Sequence, residues 1–420
     1  MSPRPEALSL SLSLSLFKPR TNSSDAVPTP AAKRLDGKPV EKITAFLFHR
    51  GGNLDPARLR ANAGKSFVGS YVLGMGFTFD DADKKGAASP LAEMERLIKA
   101  DPKNAEAILP YIGGQEVNAS PTHAHHRYVI DFRDWPLRRE DTTRAGRGAA
   151  DSAAGGGPPP RPPAPRSGPR FRAAAAAAAP PGAKLTKNAI GRKRAAFWWR
   201  YGSAAKELRA AIAGLDRVLA VSRVGQHAAF AFLPNGMVYA ETTIVFPLPA
   251  HAAFCALQSR PHELWARFFG SSLEDRLRYT PTDCFETFPF PENWETRPDL
   301  EAAGKAYDDH RAALMIENDE GLTKTYNRFH DPYENDPGIA RLRELHAAMD
   351  RAVLDAWGFS DIPTDCSFLL DYEIDEETWG RKKKPYRRRW PDDVRDEVLA
   401  RLLELNAERA ADERRSGIAR

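Results

Sequence analysis

Apolar and polar positions fall in short, glycine-interrupted runs through the first part of the chain and at helical spacing through the last. Residues 42–48 (KITAFLF) and 66–79 (SFVGSYVLGMGFTF) are rich in β-branched and aromatic side chains, which predicts strands with bends or bulges. Ser89-Pro90, a cap followed by a first-turn proline, starts a helix expected to reach about Lys99. Asp101-Pro102 repeats that signal for a shorter helix ending near Leu109, YIGG (111–114) turns the chain, and RYVIDF (127–132) reads as a strand. Further on, 217–224, 227–233 and 237–248 predict three consecutive strands, with Pro234-Asn235-Gly236 turning the chain between the last two. One long helix is expected over 251–269, then helices near 299–318, 338–356 and 391–410, with a charged loop over 372–389. The fold class is therefore α+β: a mixed α/β domain followed by a mainly helical C-terminal region.

Two stretches break the pattern. Residues 1–33 are rich in Ser, Pro and Thr with little periodicity and are expected to be disordered. Residues 144–183 hold almost nothing but Ala, Pro, Gly and Arg, from which no packed core can be made. GC-rich codons give those four residues in any frame, so 143–184 is read as a disordered insertion or a frame-shifted segment. The ordered stretches are then 34–142, 185–295 and 296–420.

Composition narrows the class of protein without naming a function. An apolar share of 42% and a charged share of 28% are ordinary for a globular protein. No apolar run approaches bilayer length. SLSLSLSLF (9–17) lacks the basic region and the cleavage site of a signal peptide. A cytoplasmic protein without a membrane partner is expected. Cys255, Cys284 and Cys366 are too scattered for a disulfide framework or a thiolate metal site, and read as reduced core residues. The net charge of +5 permits a polyanionic partner. Basic residues cluster at 192–194 with Arg200, and in RKKKPYRRR at 381–389. Each is read equally as a phosphate footprint or as a solvated face.

Short catalytic patterns are present only in fragments. Gly64-Lys65-Ser66 ends like a P-loop, but Leu59 stands where the first glycine is needed. Gly74-Met75-Gly76 is followed by more β pattern rather than by a helix. Asp331-Pro332-Tyr333 has one proline where the amino-methyltransferase motif has two, and reads as a turn with a solvated tyrosine. His123, His125 and His126 lack a ligand partner at metal spacing, and Asp83-Lys84-Lys85 lacks the upstream acid of a nuclease. No complete catalytic constellation is found, and no metal is expected.

Longer blocks carry more. LDG (35–37), NAGKSFVGSYVLGMGFTFDD (62–81), NAEAILPYIGGQEVN (104–118), HHRYVIDF (125–132), SRVGQHAAFAFLP (222–234), LQSRPHELWARFFGSS (257–272), RYTPTDCFETFPFP (278–291) and GLTKTYNRFHDP (321–332) together resemble large single-chain adenine-N6 DNA methyltransferases of restriction-modification systems, of type IIL kind, in the region downstream of the catalytic domain. The resemblance implies a target-recognition domain in two parts, 34–142 and 185–295, followed by a helical C-terminal region over 296–420. It also implies that the S-adenosylmethionine fold and the NPPY motif belong to a catalytic domain missing from this chain, supplied by a companion chain if at all. The partner it implies is double-stranded DNA. The Pro-x-Pro segment 288–291 is similar to the extended exit from such domains, and a plain linker is equally compatible.

Base reading is expected at the turn between the first two strands after the insertion, where Ser222, Arg223, Gln226 and His227 stand. Arg pairs with guanine O6 and N7, and Gln with adenine N6 and N7. Arg223 as a buried ion-pair partner is the alternative. Arg192, Lys193, Arg194 and Arg200, interleaved with aromatics, are phosphate candidates, as are Lys324, Asn327 and Arg328. Two other readings of the whole stay open: a non-functional remnant of a broken gene, and a DNA-binding protein without methylation activity.

Overall fold

One short stretch of chain joins two sheets, and this crossing organises the first half of the molecule. The computed structural model describes residues 33–132 and 201–417, apart from 36–37, 51, 73–76, 274–275, 372–373, 375–379 and 381–383. Its strands are β1 (Arg34–Leu35), β2 (Lys38–Pro39), β3 (Phe67–Val68), β4 (Thr78–Phe79), β5 (Ile108–Ile112), β6 (Arg127–Ile130), β7 (Arg217–Ser222), β8 (Val224–Gly225), β9 (Phe230–Pro234), β10 (Val238–Tyr239), β11 (Thr243–Phe246), β12 (Ser271–Leu273), β13 (Arg276–Arg278), β14 (Ser367–Leu370) and β15 (Tyr386–Arg389). The helices are α1 (Leu91–Ala100), α2 (Gly114–Ala119), α3 (Lys206–Ala211), α4 (His251–Gln258), α5 (Arg260–Phe269), α6 (Pro298–Glu317), α7 (Leu322–Phe329), α8 (Pro337–Ala356) and α9 (Asp392–Arg415).

One four-stranded sheet has the order β10-β5-β6-β4 and a second has β3-β11-β7-β9. The segment expected as one strand over 237–248 is divided between them. β10 runs parallel to β5, while β11 pairs antiparallel with β7. Between them Thr243 turns back on Ala240, its amide and hydroxyl both donating to that carbonyl, at 2.9 and 2.7 Å. Gly69 is required at this crossing, because a Cβ there would lie 2.1 Å from Ala240 O. No strand forms over 42–48. Thr44 instead closes a turn, pairing its amide with Phe48 O and accepting from the Phe48 amide through its hydroxyl, a local bond that competes with sheet formation.

The long helix expected over 251–269 is two helices. Ser259 is extended at ψ 154°, and α5 restarts with Pro261 in its first turn. A proline there lacks the amide a continuous helix needs. The new helix start is satisfied from afar, by Asp350 of α8 accepting from the Arg260 amide at 2.7 Å. The short helix expected from Asp101 is a 3-10 turn, Pro102–Glu106, and the chain is already in β5 by Ile108. The C-terminal helices follow their sequence signals. Pro298 and Pro337 occupy first turns, and Asp336 caps α8 by accepting from Gly338 and Ile339. The expected charged loop over 372–389 ends in a strand, β15, paired with β14.

One hydrophobic core runs from the β7-β9-β11 sheet through α4 and α5 into α6, α8 and α9. Phe288 and Phe290 of the Pro-x-Pro segment are buried within it, Phe290 stacks on Trp294 at 4.0 Å, and Trp357 donates to Pro289 O. That segment is a strap through the core rather than an exit from it. A smaller core lies under the first sheet and gathers Phe77, Phe79, Ile108, Val129 and Val238 against α1. Cys255 and Cys284 are buried and Cys366 half-buried, all three as free thiols. Among the described residues no helix is long and apolar enough to cross a membrane.

Candidate functional site

β7 ends at Ser222, and the chain then makes a short excursion that brings three remote parts of the sequence together. The Arg223 amide donates to Thr242 O and its carbonyl accepts from the Tyr279 amide, both at 2.8 Å. Immediately after it, β8 pairs antiparallel with β13, Val224 opposite Arg278 and Gly225 opposite Leu277. β13 in turn pairs with β12. The excursion therefore forms the third strand of a small ribbon, with backbone bonds on both flanks.

The ribbon carries exposed positive charge. Arg276 and Arg278 point to the same exposed side, with Leu277 buried between them, as strand alternation requires. Arg223 beside them is half-buried, and Gln226 is exposed. Among the described residues, none of the three guanidiniums has a carboxylate within ion-pair distance. Among the described residues Arg223 is half-buried and has no ion pair, unlike the buried ion-pair partner of the alternative reading. Arg276 and Arg278 were not singled out in the sequence, because RLR is too short to register as a basic cluster. The available signal was alternation, with two arginines flanking a single apolar residue at strand period.

The other loop positions face inward. The Ser222 hydroxyl donates to Val224 O at 2.9 Å, and a Cβ on Gly114 would meet it at 2.5 Å, so the side chain is closed in by α2. His227 Nε2 donates to Asn327 Oδ1 at 2.9 Å, and the ring stacks on His330 at 5.2 Å and on Tyr326 at 5.7 Å. Burial, reinforced by Arg387 nearby, lowers the His227 imidazole to about 4, so it is neutral near pH 7. Burial and Arg387 likewise hold His330 well below its ordinary value. Behind these rings lies a small polar cavity of about 10 Å³, lined by His227, Arg260, Glu263 and His346 among others.

Two of the three expected groups are thus brought together across a hundred residues of sequence, 222–227 and 324–328. Within the second group the roles differ. Lys324 is exposed and Asn327 is tied to His227. Arg328 is engaged by Glu320, Glu334 and Asp336, at 3.2, 2.8 and 2.9 Å. Its hydrogen bond to Glu334 raises the guanidinium pKa still further. The third group, Arg192, Lys193, Arg194 and Arg200, lies outside the described residues, as do Gly74-Met75-Gly76. The basic run at 381–389 is in part interior. Arg387 is only 5% exposed and bonds Glu263 and Asp371, so it does not belong to a surface footprint.

The tempting catalytic fragments are occupied elsewhere. Lys65 is paired with Glu295. Asp331 accepts from the Tyr333 amide in a tight turn, and Tyr333 is 79% exposed. Asp83 binds the amides of Lys85, Ala87 and Ala88. His123 donates to Val117 O at 2.9 Å. Among the described residues, no group of three or more His, Cys, Asp or Glu is placed to hold a metal ion.

Comparisons with known proteins fall on the same region. Residues 187–292 match the family model described as MmeI, target recognition domain. A solved structure of the type IIL restriction-modification enzyme MmeI in complex with DNA is similar over 89% of this chain, with 16% sequence identity and a TM-score of 0.53. That likeness is one of fold, mixed α and β throughout. The chain spans 39% of the MmeI chain it matches. No curated protein matches this sequence.

Proposed function

We propose that this chain is the sequence-specific DNA-recognition part of a restriction-modification enzyme. One observation carries the reading: a ribbon presenting Arg276 and Arg278, without an ion-pair partner among the described residues and joined by backbone pairing to the loop of Arg223 and Gln226, within a segment that matches a target-recognition model. In the major groove guanine offers O6 and N7 to an arginine and adenine offers N6 and N7 to a glutamine, the two residue types this loop and ribbon present. Lys324, at the outer face of α7, would take a phosphate and fix register without reading sequence.

On the same reading the reaction served is methylation of adenine at N6. S-adenosylmethionine belongs to a methyltransferase domain outside the residues described, on this polypeptide or on a companion chain. None of the described fragments suits that cofactor or a flipped base, since Lys65 is neutralised by Glu295 and the Tyr333 ring stands in solvent. The chain's own contribution is binding and positioning: Arg223, Gln226, Arg276 and Arg278 choose the site, and the helical region holds them rigid.

The test is selection from randomised duplex DNA at several salt concentrations. Enrichment of one short motif, with affinity falling steeply as salt rises, is expected. Binding without enrichment at any salt would refute sequence recognition and leave a general DNA-binding protein. A chain that fails to bind duplex DNA would be a remnant.

A further inference from the structure

The loop that presents Arg223 and Gln226 is held from behind by a part of the chain 161 residues away. β8 ends at Gly225, so the Gln226 carbonyl has no strand partner. It accepts instead from Arg267 Nη2 at 2.6 Å and Arg387 Nη2 at 3.2 Å. A carbonyl oxygen has two lone pairs, and both are used. The two guanidiniums share one carboxylate oxygen, Glu263 Oε1, at 2.9 and 3.1 Å. Arg387 also bonds Asp371 at 2.9 Å, so two cations face two anions. Arg387 is itself fixed by β-pairing, opposite Leu369 in β14.

We propose that Arg387 is a positioning residue for DNA reading, and that the C-terminal β14–β15 hairpin sets the conformation in which Arg223 and Gln226 are presented. This rests on the recognition reading above. The geometry separates the role from general packing. The Arg387 fork spans two carboxylates, His330 Nε2 and a loop carbonyl at once, from three separate nitrogens, whereas the donors of a lysine all radiate from one nitrogen. A lysine would keep the charge beside Glu263 and Asp371 but would lose the reach to Gln226. The helical region thereby becomes part of the specificity apparatus, because a loop free to sample other shapes would present its bases' partners at the wrong spacing.

The experiment uses the full chain with Arg387→Lys, Arg387→Ala and Arg267→Ala. Three quantities are measured: the affinity ratio between the selected duplex and a scrambled one, the salt slope on scrambled DNA, and amide hydrogen exchange over 224–228. In Arg387→Ala the ratio is expected to fall roughly tenfold or more, equal to about 1.4 kcal/mol. Arg387→Lys falls nearly as far despite its retained charge, and exchange in the loop quickens in both. The scrambled-DNA slope stays as in wild type, since no phosphate contact is lost. An unchanged ratio in the folded variants overturns the proposal. A slope reduced by about one charge overturns it too, because Arg387 would then touch phosphate itself. Should Arg387→Ala not fold, Arg267→Ala and Arg387→Lys decide the matter through the same carbonyl. If the wild-type chain enriches no motif, the recognition reading has failed, and that result precedes any variant.

Discussion

Two short strands of this molecule are built from arginine, and they have opposite fates. In β15, Arg387 is buried against Glu263 and Asp371, the Arg388 guanidinium lies over Phe329 at 6.0 Å, and Arg389 bonds Asp392. In β13, Arg276 and Arg278 face solvent and meet no carboxylate among the described residues. By sequence density β15 is the stronger electrostatic footprint, since it closes a run of nine residues with seven basic ones. By structure the order reverses. Positive charge binds phosphate or base only when it is not already neutralised, so the useful quantity is unpaired charge rather than its density.

Variants can break this contrast or sharpen it. The largest effect is expected on the interior side. Asp350 accepts from the Arg260 amide and side chain while both residues are almost wholly buried. Burial raises the Asp350 pKa, but His346 and Arg260 outweigh it and keep the carboxyl below its ordinary value. Asp350→Ala would strand the Arg260 cation and cost about 3–5 kcal/mol of stability. Denaturant unfolding measures this, and a loss below about 1 kcal/mol would show that the pair does not join α5 to α8.

Next comes pH. Burial lowers His227 to about 4 and His262 to about 3 in the folded chain, while unfolded imidazoles titrate near 6.5. Between those values the unfolded state binds the extra protons, so stability is complete above about pH 6.5 and falls as pH drops towards 4. At about 1.4 kcal/mol per unit, the loss amounts to roughly a few kcal/mol. His227→Asn should flatten part of that slope in unfolding curves taken from pH 7 to 4.5. A wild-type curve already flat over this range would contradict the buried, neutral histidines.

The exposed side behaves differently. Arg276→Ala and Arg278→Ala are each expected to cost about 1–3 kcal/mol in binding to the selected duplex. Their melting points should stay near wild type, because surface changes stay within about 0.5 kcal/mol. Equal losses on selected and scrambled DNA would reduce both residues to phosphate contacts. The smallest effect belongs to Lys324→Ala: a weakening uniform across sequences, with the salt slope lower by about one. A sequence-dependent effect there would move Lys324 into the base-reading group.

Much of the local structure was legible. The helix expected from Ser89-Pro90 forms as α1 one residue later, with Pro90 rather than Ser89 at the cap position, the helices expected near 299–318 and 338–356 form as α6 and α8, and RVLAVS folds as β7. Two of the failures have a tertiary cause and one a local cause. The run 251–269 has the apolar pattern of one helix, but its break at Ser259 is stabilised by Asp350, ninety residues on. Residues 237–248 read as one strand because alternation does not say which sheet each half will join. The turn at Thr44 won over a strand because a side-chain bond within five residues was available and a neighbouring strand was not.

At the site, the sequence singled out the loop at 222–227 and the candidates Lys324, Asn327 and Arg328, and the structure joined them through His227 and Asn327. It did not separate the outward residues from the inward ones. Ser222 and His227 look as available as Arg223 and Gln226 when only residue type is considered. The sequence by itself determined the class of fold and several of the helix starts, and it named the residue types available at the loop. Tertiary structure alone decided which charges remain free. The acid that quenches Arg387, and the base that braces Gln226, are set by packing between distant segments. Electrostatic pairing depends on distance in space, and local sequence pattern holds no record of it.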